Sequence, residues 1–485
     1  MQAETLFSPV GTAAADQALQ RFEVGNALLA GGDPVAAAEA FLAAAQLAPE
    51  FAPAWLNLAE TLRSLGAVAD AVAMAEQALA LRPGDPHSLQ VMGNARHDLG
   101  DFEAAAGCYR AALIRAPDHA GLWTNLGNSL HAMGRATEAL GMQDRAVALT
   151  PEDAEAHFCR ALTLLASGDF ARGWAEYEWR FRRPGRQGRR FGPAWRGEPI
   201  EGRTILLHAE QGHGDTLQFL RYAPMVVARG ARVVLEVQPA LRRLAESVPG
   251  VVQVVAAGEP LPQFAAHCPL LSLPLACDTR LATIPAGVPY LAADPGAWSA
   301  RLPPGLRIGL CWAGAATEHG LPFPLDQRRS LDPALLAPLA KLPGAVFVSL
   351  QKEPRGIPPL PLLDPMPLMR DFADTAGLMA ALDLVISVDT SVAHLAGALG
   401  RPVWLLSRAD PCWRWLHGRD DSPWYPTMRI FRQRAPGDWQ GVIGRVLATL
   451  QAEGPPRQSA SGSGSGRPFR ATSHAGGWPP ERCLS

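Results

Sequence analysis

Two patterns of apolar positions divide the chain. From Thr204 onward, short apolar runs are separated by helical stretches. Runs 205–208, 233–237, 251–255 and 269–273 read as buried strands, with helices around 217–228 and 241–247. A second set reads as strands 308–312, 346–350, 384–388, 403–406 and 428–431, closed by a helix near 442–451. Strands alternating with helices in this way predict a parallel sheet with helices on its faces. The Pro- and Ala-rich segment 285–304 connects the two sets.

Upstream the pattern has a longer period. Pro49, Pro83, Pro117 and Pro151 are 34 residues apart, as are Gly32, Gly66, Gly100, Gly134 and Gly168. Ala37, Ala71, Ala105 and Ala139 keep the same phase, and so do Ala44, Ala78, Ala112 and Ala146. Trp123, Leu126 and Gly127 form a W-x2-L-G signature that returns as Trp55, Leu58 and Ala59. Small residues let two helices cross closely. Glycine ends the first helix in a left-handed conformation, and proline ends the second. Residues 18–183 resemble the tetratricopeptide repeat family, which implies an α-helical solenoid. Its concave face is expected to hold a protein or peptide; dimerisation, or simply holding a domain in place, is the other use of such a surface.

Composition narrows the partners. A 485-residue chain suggests two or three domains, and a formal net charge of −2 gives no general field for nucleic acid or anionic membrane. No apolar run is long enough to span a bilayer and no signal-peptide pattern opens the chain. The seven cysteines are scattered without a C-x-x-C pair, which points to a reducing compartment and hence the cytoplasm. After Gly168 the phase is lost. Trp174, Tyr177 and Trp179 are expected to dock the solenoid on the next module, followed by a basic linker, 184–203, within an arginine run that begins at Arg182 and Arg183. One basic stretch in a neutral chain does not make a nucleic-acid partner. Residues 1–17 read as an extension and 452–485, rich in Ser and Gly, as a disordered tail.

Three segments carry candidate chemistry. Gly212, His213, Gly214 and Asp215 stand between a strand and a helix. Asp215 is either the helix N-cap or a carboxylate facing the crevice, able to take a proton from a hydroxyl. Asp389, Thr390, Ser391 and His394 follow strand 384–388, where a helix start would point N–H groups at a diphosphate. Thr390 and His394 lie on one face of that helix. Asp389 is expected to bind sugar hydroxyls or to cap. Gly314 ends strand 308–312 and allows close approach of a ligand, while Arg328 and Arg329 could neutralise a leaving diphosphate. Gln351 could contact a nucleotide base. No metal is assigned, because the histidines lack ligand spacing and no D-x-D pair occurs. The aromatic segment 413–426 is expected to line the sugar or acceptor side, or else to pack against the closing helix.

Together these segments resemble the two-Rossmann-domain (GT-B) glycosyltransferases, closest to the heptosyltransferase-like group, over about 204–450. Joined to tetratricopeptide repeats, the layout is similar to protein O-glycosyltransferases, including the O-GlcNAc transferase type and bacterial flagellin-modifying enzymes. The resemblance implies an N-terminal half over 204–300 that carries the base, Asp215. It implies a C-terminal half over 301–451 in which Asp389, Thr390 and His394 hold a nucleotide-diphosphate sugar. It further implies an inverting, metal-independent transfer to a protein acceptor on the solenoid, with no cofactor beyond the donor substrate. No lysine takes the phosphate-binding position of the heptosyltransferases; Arg328 or Arg329 stands in for it. An inactive transferase-like adaptor and a sugar-nucleotide epimerase are the competing readings.

Overall fold

The structure is a computed structural model that describes residues 13–185, 188–189, 191–314, 327–353, 355–410 and 412–454. Most of the expected extension (1–12), Arg186 and Arg190 of the linker, most of the segment between Gly314 and Arg328, and the tail from 455 lie outside these residues.

Helices α1 (Ala13–Ala30), α2 (Pro34–Leu47), α3 (Ala52–Ser64), α4 (Val68–Leu81), α5 (Pro86–Leu99), α6 (Phe102–Arg115), α7 (Ala120–Ala132), α8 (Ala136–Leu149), α9 (Ala154–Ala166) and α10 (Phe170–Tyr177) pair into successive hairpins. The first starts upstream of Ala18. The periodic glycines occupy the turns inside each hairpin, with φ of +84°, +81°, +90°, +77° and +82°, where a Cβ would be strained. The periodic alanines are fully buried where helices meet. The Trp positions have a further reason. The indoles of Trp55 and Trp123 donate to the carbonyls of Pro49 and Pro117 at 2.9 and 2.7 Å, locking each new hairpin onto the end of the previous one. First helices of successive hairpins touch one another, α3 with α5, α5 with α7 and α7 with α9, and so form the inner wall of the solenoid.

The remainder is α/β. Strands β1 (Thr204–His208), β2 (Arg232–Val237), β3 (Gln253–Ala256) and β4 (Ala266–Pro269) make a parallel sheet in the order β3-β2-β1-β4. Strands β5 (Leu306–Cys311), β6 (Ala345–Ser349), β7 (Leu362–Leu363), β8 (Leu384–Val388), β9 (Val403–Ser407) and β10 (Met428–Arg432) make a second in the order β10-β9-β8-β5-β6-β7. Each sheet grows in one direction and then reverses, between β1 and β4 and between β5 and β8. Such reversals open a crevice at the carboxyl ends of the strands.

Two expectations are corrected. The fourth strand is not 269–273: His267 and Cys268 lie inside it, and the apolar Leu270–Ser272 is a 3-10 turn after its end. The helix expected over 217–228 is broken into α11 (His213–Phe219), a turn at Leu220–Tyr222 and a second helix at Ala223–Ala228. The linker is tied to the first sheet. Trp195 N–H donates to the His267 carbonyl at 2.7 Å, adding the linker to the β4 edge. Within the linker Arg189 pairs with the buried Glu236 at 2.6 Å, and just before it Arg183 pairs with Glu155 at 2.6 Å.

One core runs through the last hairpin of the solenoid and both sheets, while the earlier hairpins have cores of their own. Trp174 of α10 meets the Trp413 ring edge-on at 5.4 Å and Phe219 of α11 at 6.3 Å, and Phe170 stacks on Trp424 at 6.0 Å. The aromatic rings of segment 413–426 therefore pack at this join and not with the core of the closing helix Trp439–Glu453, while Arg414 between them reaches Asp215. The indoles Trp413, Trp415 and Trp424 are buried where the last hairpin joins both sheets. The last hairpin of the solenoid is thus packed into the α/β part.

Candidate crevice between the two sheets

The reversal between β5 and β8 gathers most of the expected residues. Gly314 follows β5, and its N–H donates to Ser330 Oγ at 3.2 Å. A Cβ on Gly314 would run into the Arg329 guanidinium, so glycine is required for that arginine to lie flat against the loop. Arg329 Nη1 reaches the Asp389 carbonyl at 3.5 Å. Gln351, after β6, is buried. Its Oε1 accepts from the N–H groups of Trp312 and Ala313 at 3.2 and 3.0 Å, so its oxygen fastens two loops together instead of reading a base.

Beyond β8, Thr390 is the N-cap of helix Ser391–Ala398, but its hydroxyl caps nothing. It lies 3.2 Å from Ser387 Oγ and 3.6 Å from Cys311 Sγ. His394 is buried, hydrogen-bonded through Nδ1 to the Tyr425 hydroxyl at 2.9 Å and stacked on Trp415. Burial pushes its imidazole down to about 4. Asp389 is half-buried. Burial opposes its charge, yet His394 and Arg414 hold the carboxyl below its ordinary range.

The first half meets this group through α11. Gly212 is the N-cap, so Asp215 is not; it sits in the first turn and its Oδ2 accepts from Gly212 N–H at 3.1 Å. A Cβ on Gly214 would fall 2.9 Å from His394 Cδ2 and 3.5 Å from Ser391 Cα. This glycine lets the two helix starts touch. Asp215 is ion-paired with Arg414, which stands on the turn after β9.

Arg328 does not join the site. Its Nη1 donates to the Asp98 carbonyl of α5 at 3.1 Å, it pairs with Asp410 at 3.6 Å, and its guanidinium lies 5.7 Å from the Phe102 ring. It tethers the second sheet to the solenoid, and burial lowers its affinity for a proton. Adjacent residues in a chain point different ways, so only Arg329 remains at the reversal.

Sequence reasoning missed Arg414, whose partner is 199 positions away and so left no local trace. It also missed Arg180 and a polar series on the inner wall of the solenoid. Asn26, Glu60, Asn94 and Asn128 keep the 34-residue phase. Asn57 Nδ2 donates to Asn26 Oδ1 at 2.9 Å, Asn94 to Glu60 at 3.3 Å and Asn125 to Asn94 at 3.1 Å. Searching the polar positions at that same period would have found the series.

Four buried or half-buried histidines make stability depend on pH. Burial depresses His97 to about 4, His131 to about 3, His208 to about 3 and His394 to about 4, from an ordinary 6.5. They stay neutral in the folded chain while the unfolded chain protonates. Stability is therefore present above pH 6.5 and falls as pH drops toward 4, by ~1.4 kcal/mol per pH unit for each histidine. Urea midpoints measured between pH 7.5 and 5 should decline in this direction; a flat profile would contradict the burial of these rings.

Residues 28–94 and 91–154 each match a tetratricopeptide repeat model. The protein FlbA of Caulobacter vibrioides is 29% identical over 439 residues, covering 81% of this chain and 72% of that protein, a span too long to be confined to the solenoid. Among solved structures, a MamA fragment from Desulfovibrio magneticus is 19% identical, covering 34% of this chain and 93% of that one, with a TM-score of 0.31. A thermophilic tetratricopeptide-repeat protein of Thermus thermophilus is 22% identical, covering 35% and 93%, with a TM-score of 0.32.

Proposed function

With an N-terminal solenoid of tetratricopeptide repeats as its premise, we propose that this chain transfers a sugar from a nucleotide-activated donor to a hydroxyl of a protein held by that solenoid. The observation that carries the reading is the meeting of Asp215, at a helix start of the first sheet, with the loops at the chain reversal of the second. Two parallel sheets facing one another across such a crevice support a GT-B reading.

In this reading the donor diphosphate lies at the start of helix Ser391–Ala398, beside Arg329, where the first N–H groups of the helix favour an anion. Asp215 takes the proton of the acceptor hydroxyl. That oxygen bonds to the anomeric carbon from the side opposite the phosphate. The carbon–oxygen bond to the phosphate breaks, its electron pair leaves with the nucleoside diphosphate, and the configuration inverts. Among the described residues no helix is long and apolar enough to cross a membrane. The described cysteines are free, which supports placing the reaction in the cytoplasm.

The inner wall suits a polypeptide. Side-chain amides offer both a donor and an acceptor, the pair that an extended backbone needs. Replacing Asn94 and Asn125 by Ala together should weaken partner binding roughly tenfold, the sum of two modest hydrogen-bond losses. Surface plasmon resonance on the full chain measures this, and unchanged affinity would remove the partner from that wall. The donor site itself is tested by calorimetric titration with nucleoside diphosphates of each base: binding of one or more supports the reading, and binding of none argues against it.

A further inference from the structure

Arg414 faces the proposed base across the crevice. Its guanidinium contacts the Asp215 carboxylate, its Nε donates to Gln218 Oε1 at 3.1 Å, and it lies 4.2 Å over the Trp413 ring. The two charged side chains are 15% and 17% exposed, so little solvent screens their attraction. The arginine belongs to the turn Trp413–Trp415 of the second half, and the carboxylate to α11 of the first. Both oxygens of this carboxylate are engaged, one accepting from Arg414 and the other from Gly212 N–H. Gly214, next to Asp215, lies against Ser391, so Arg414 on Asp215 stands near the start of helix Ser391–Ala398, the proposed diphosphate position.

We infer that Arg414 has two alternative partners, Asp215 and the donor diphosphate, and that taking the diphosphate releases Asp215 to accept the hydroxyl proton. This rests on the transferase reading above and adds regulation of the same site. A diphosphate carries more charge than a carboxylate and suits the flat guanidinium fork, so it competes well for Arg414. The base is then exposed only when a donor is in place. Arg414 also supplies the cation that Arg328, turned onto the solenoid, does not.

Calorimetric titration of the full chain with inorganic pyrophosphate, then with uridine, guanosine and cytidine diphosphates, tests this. Asp215→Asn should bind the diphosphate about tenfold more tightly, because Arg414 no longer leaves a charged partner. Arg414→Gln should bind about tenfold more weakly, and the double variant should match Arg414→Gln, which excludes damage from an unpaired Asp215. Diphosphate binding that Asp215→Asn leaves unchanged or weakens overturns the exchange while leaving the donor site standing. Absence of binding by the wild type overturns the donor site, and this role for Arg414 with it.

Discussion

Asp215→Asn is expected to slow sugar transfer by about 10²–10⁴-fold, the usual contribution of a positioned general base. Asparagine keeps the shape of the side chain and an oxygen that can accept from Gly212 N–H, the contact made at 3.1 Å. It also leaves an acceptor facing Arg414. The start of α11 should therefore keep its place, with Gly214 still against His394. What disappears is the negative charge and the capacity to take a proton. Single-turnover transfer, followed by acceptor mass, checks this, with circular dichroism showing that the variant is folded. Full turnover by Asp215→Asn would remove Asp215 from the role of base.

Arg180→Ala should cost about 3–5 kcal/mol of stability, because it leaves the largely enclosed Glu210 and the partly exposed Glu178 without their cation. Arg180 is 4% exposed and lies where α10 hands over to the α/β part. It donates to Glu210 at 2.8 Å, Glu178 at 2.6 Å and Ser272 Oγ at 2.7 Å, and its guanidinium packs 3.9 Å over the Phe181 ring. Ser272 in turn donates to Glu178 at 2.8 Å. Burial already raises the Glu210 carboxyl, with Arg180 working against that rise. Without the arginine, Glu210 would protonate or draw in water. Glu210 opens the loop that continues through Gly212 to Asp215, so the same change should displace the base and reduce transfer. Urea denaturation measures the first effect. A loss below about 1 kcal/mol, the range of an exposed pair, would show that the network does not hold the junction.

The solenoid was legible because its requirements recur. A left-handed turn, a close helix crossing and a helix stop return every 34 residues, so Gly66, Ala71 and Pro83 are read from Gly100, Ala105 and Pro117. The amide series obeyed the same period but was passed over, since polar positions mark a groove only once the inner wall is known. Central strands such as β8 were legible as apolar runs, interrupted there only by Ser387. β4 was not, because His267 and Cys268 lie within it, and β7 is too short to show a pattern. The site was half legible. Asp389, Thr390 and Gly314 stand at strand ends, where local pattern suffices. Arg328 and Arg329 are indistinguishable in sequence, and only the fold sends one to Asp98 and the other to Asp389. Arg414 takes its meaning from Asp215, and nothing local links them.

The central claim is that one chain both holds a protein and glycosylates it. The most direct measurement captures the partner on the isolated tetratricopeptide arm and follows its intact mass with full-length protein and a panel of nucleotide sugars. The account predicts a mass increase of one or more sugar units with a particular donor, present with the wild type and absent with Asp215→Asn. A partner that binds the arm yet keeps its mass with every donor, while the full-length protein binds no nucleoside diphosphate, would contradict it.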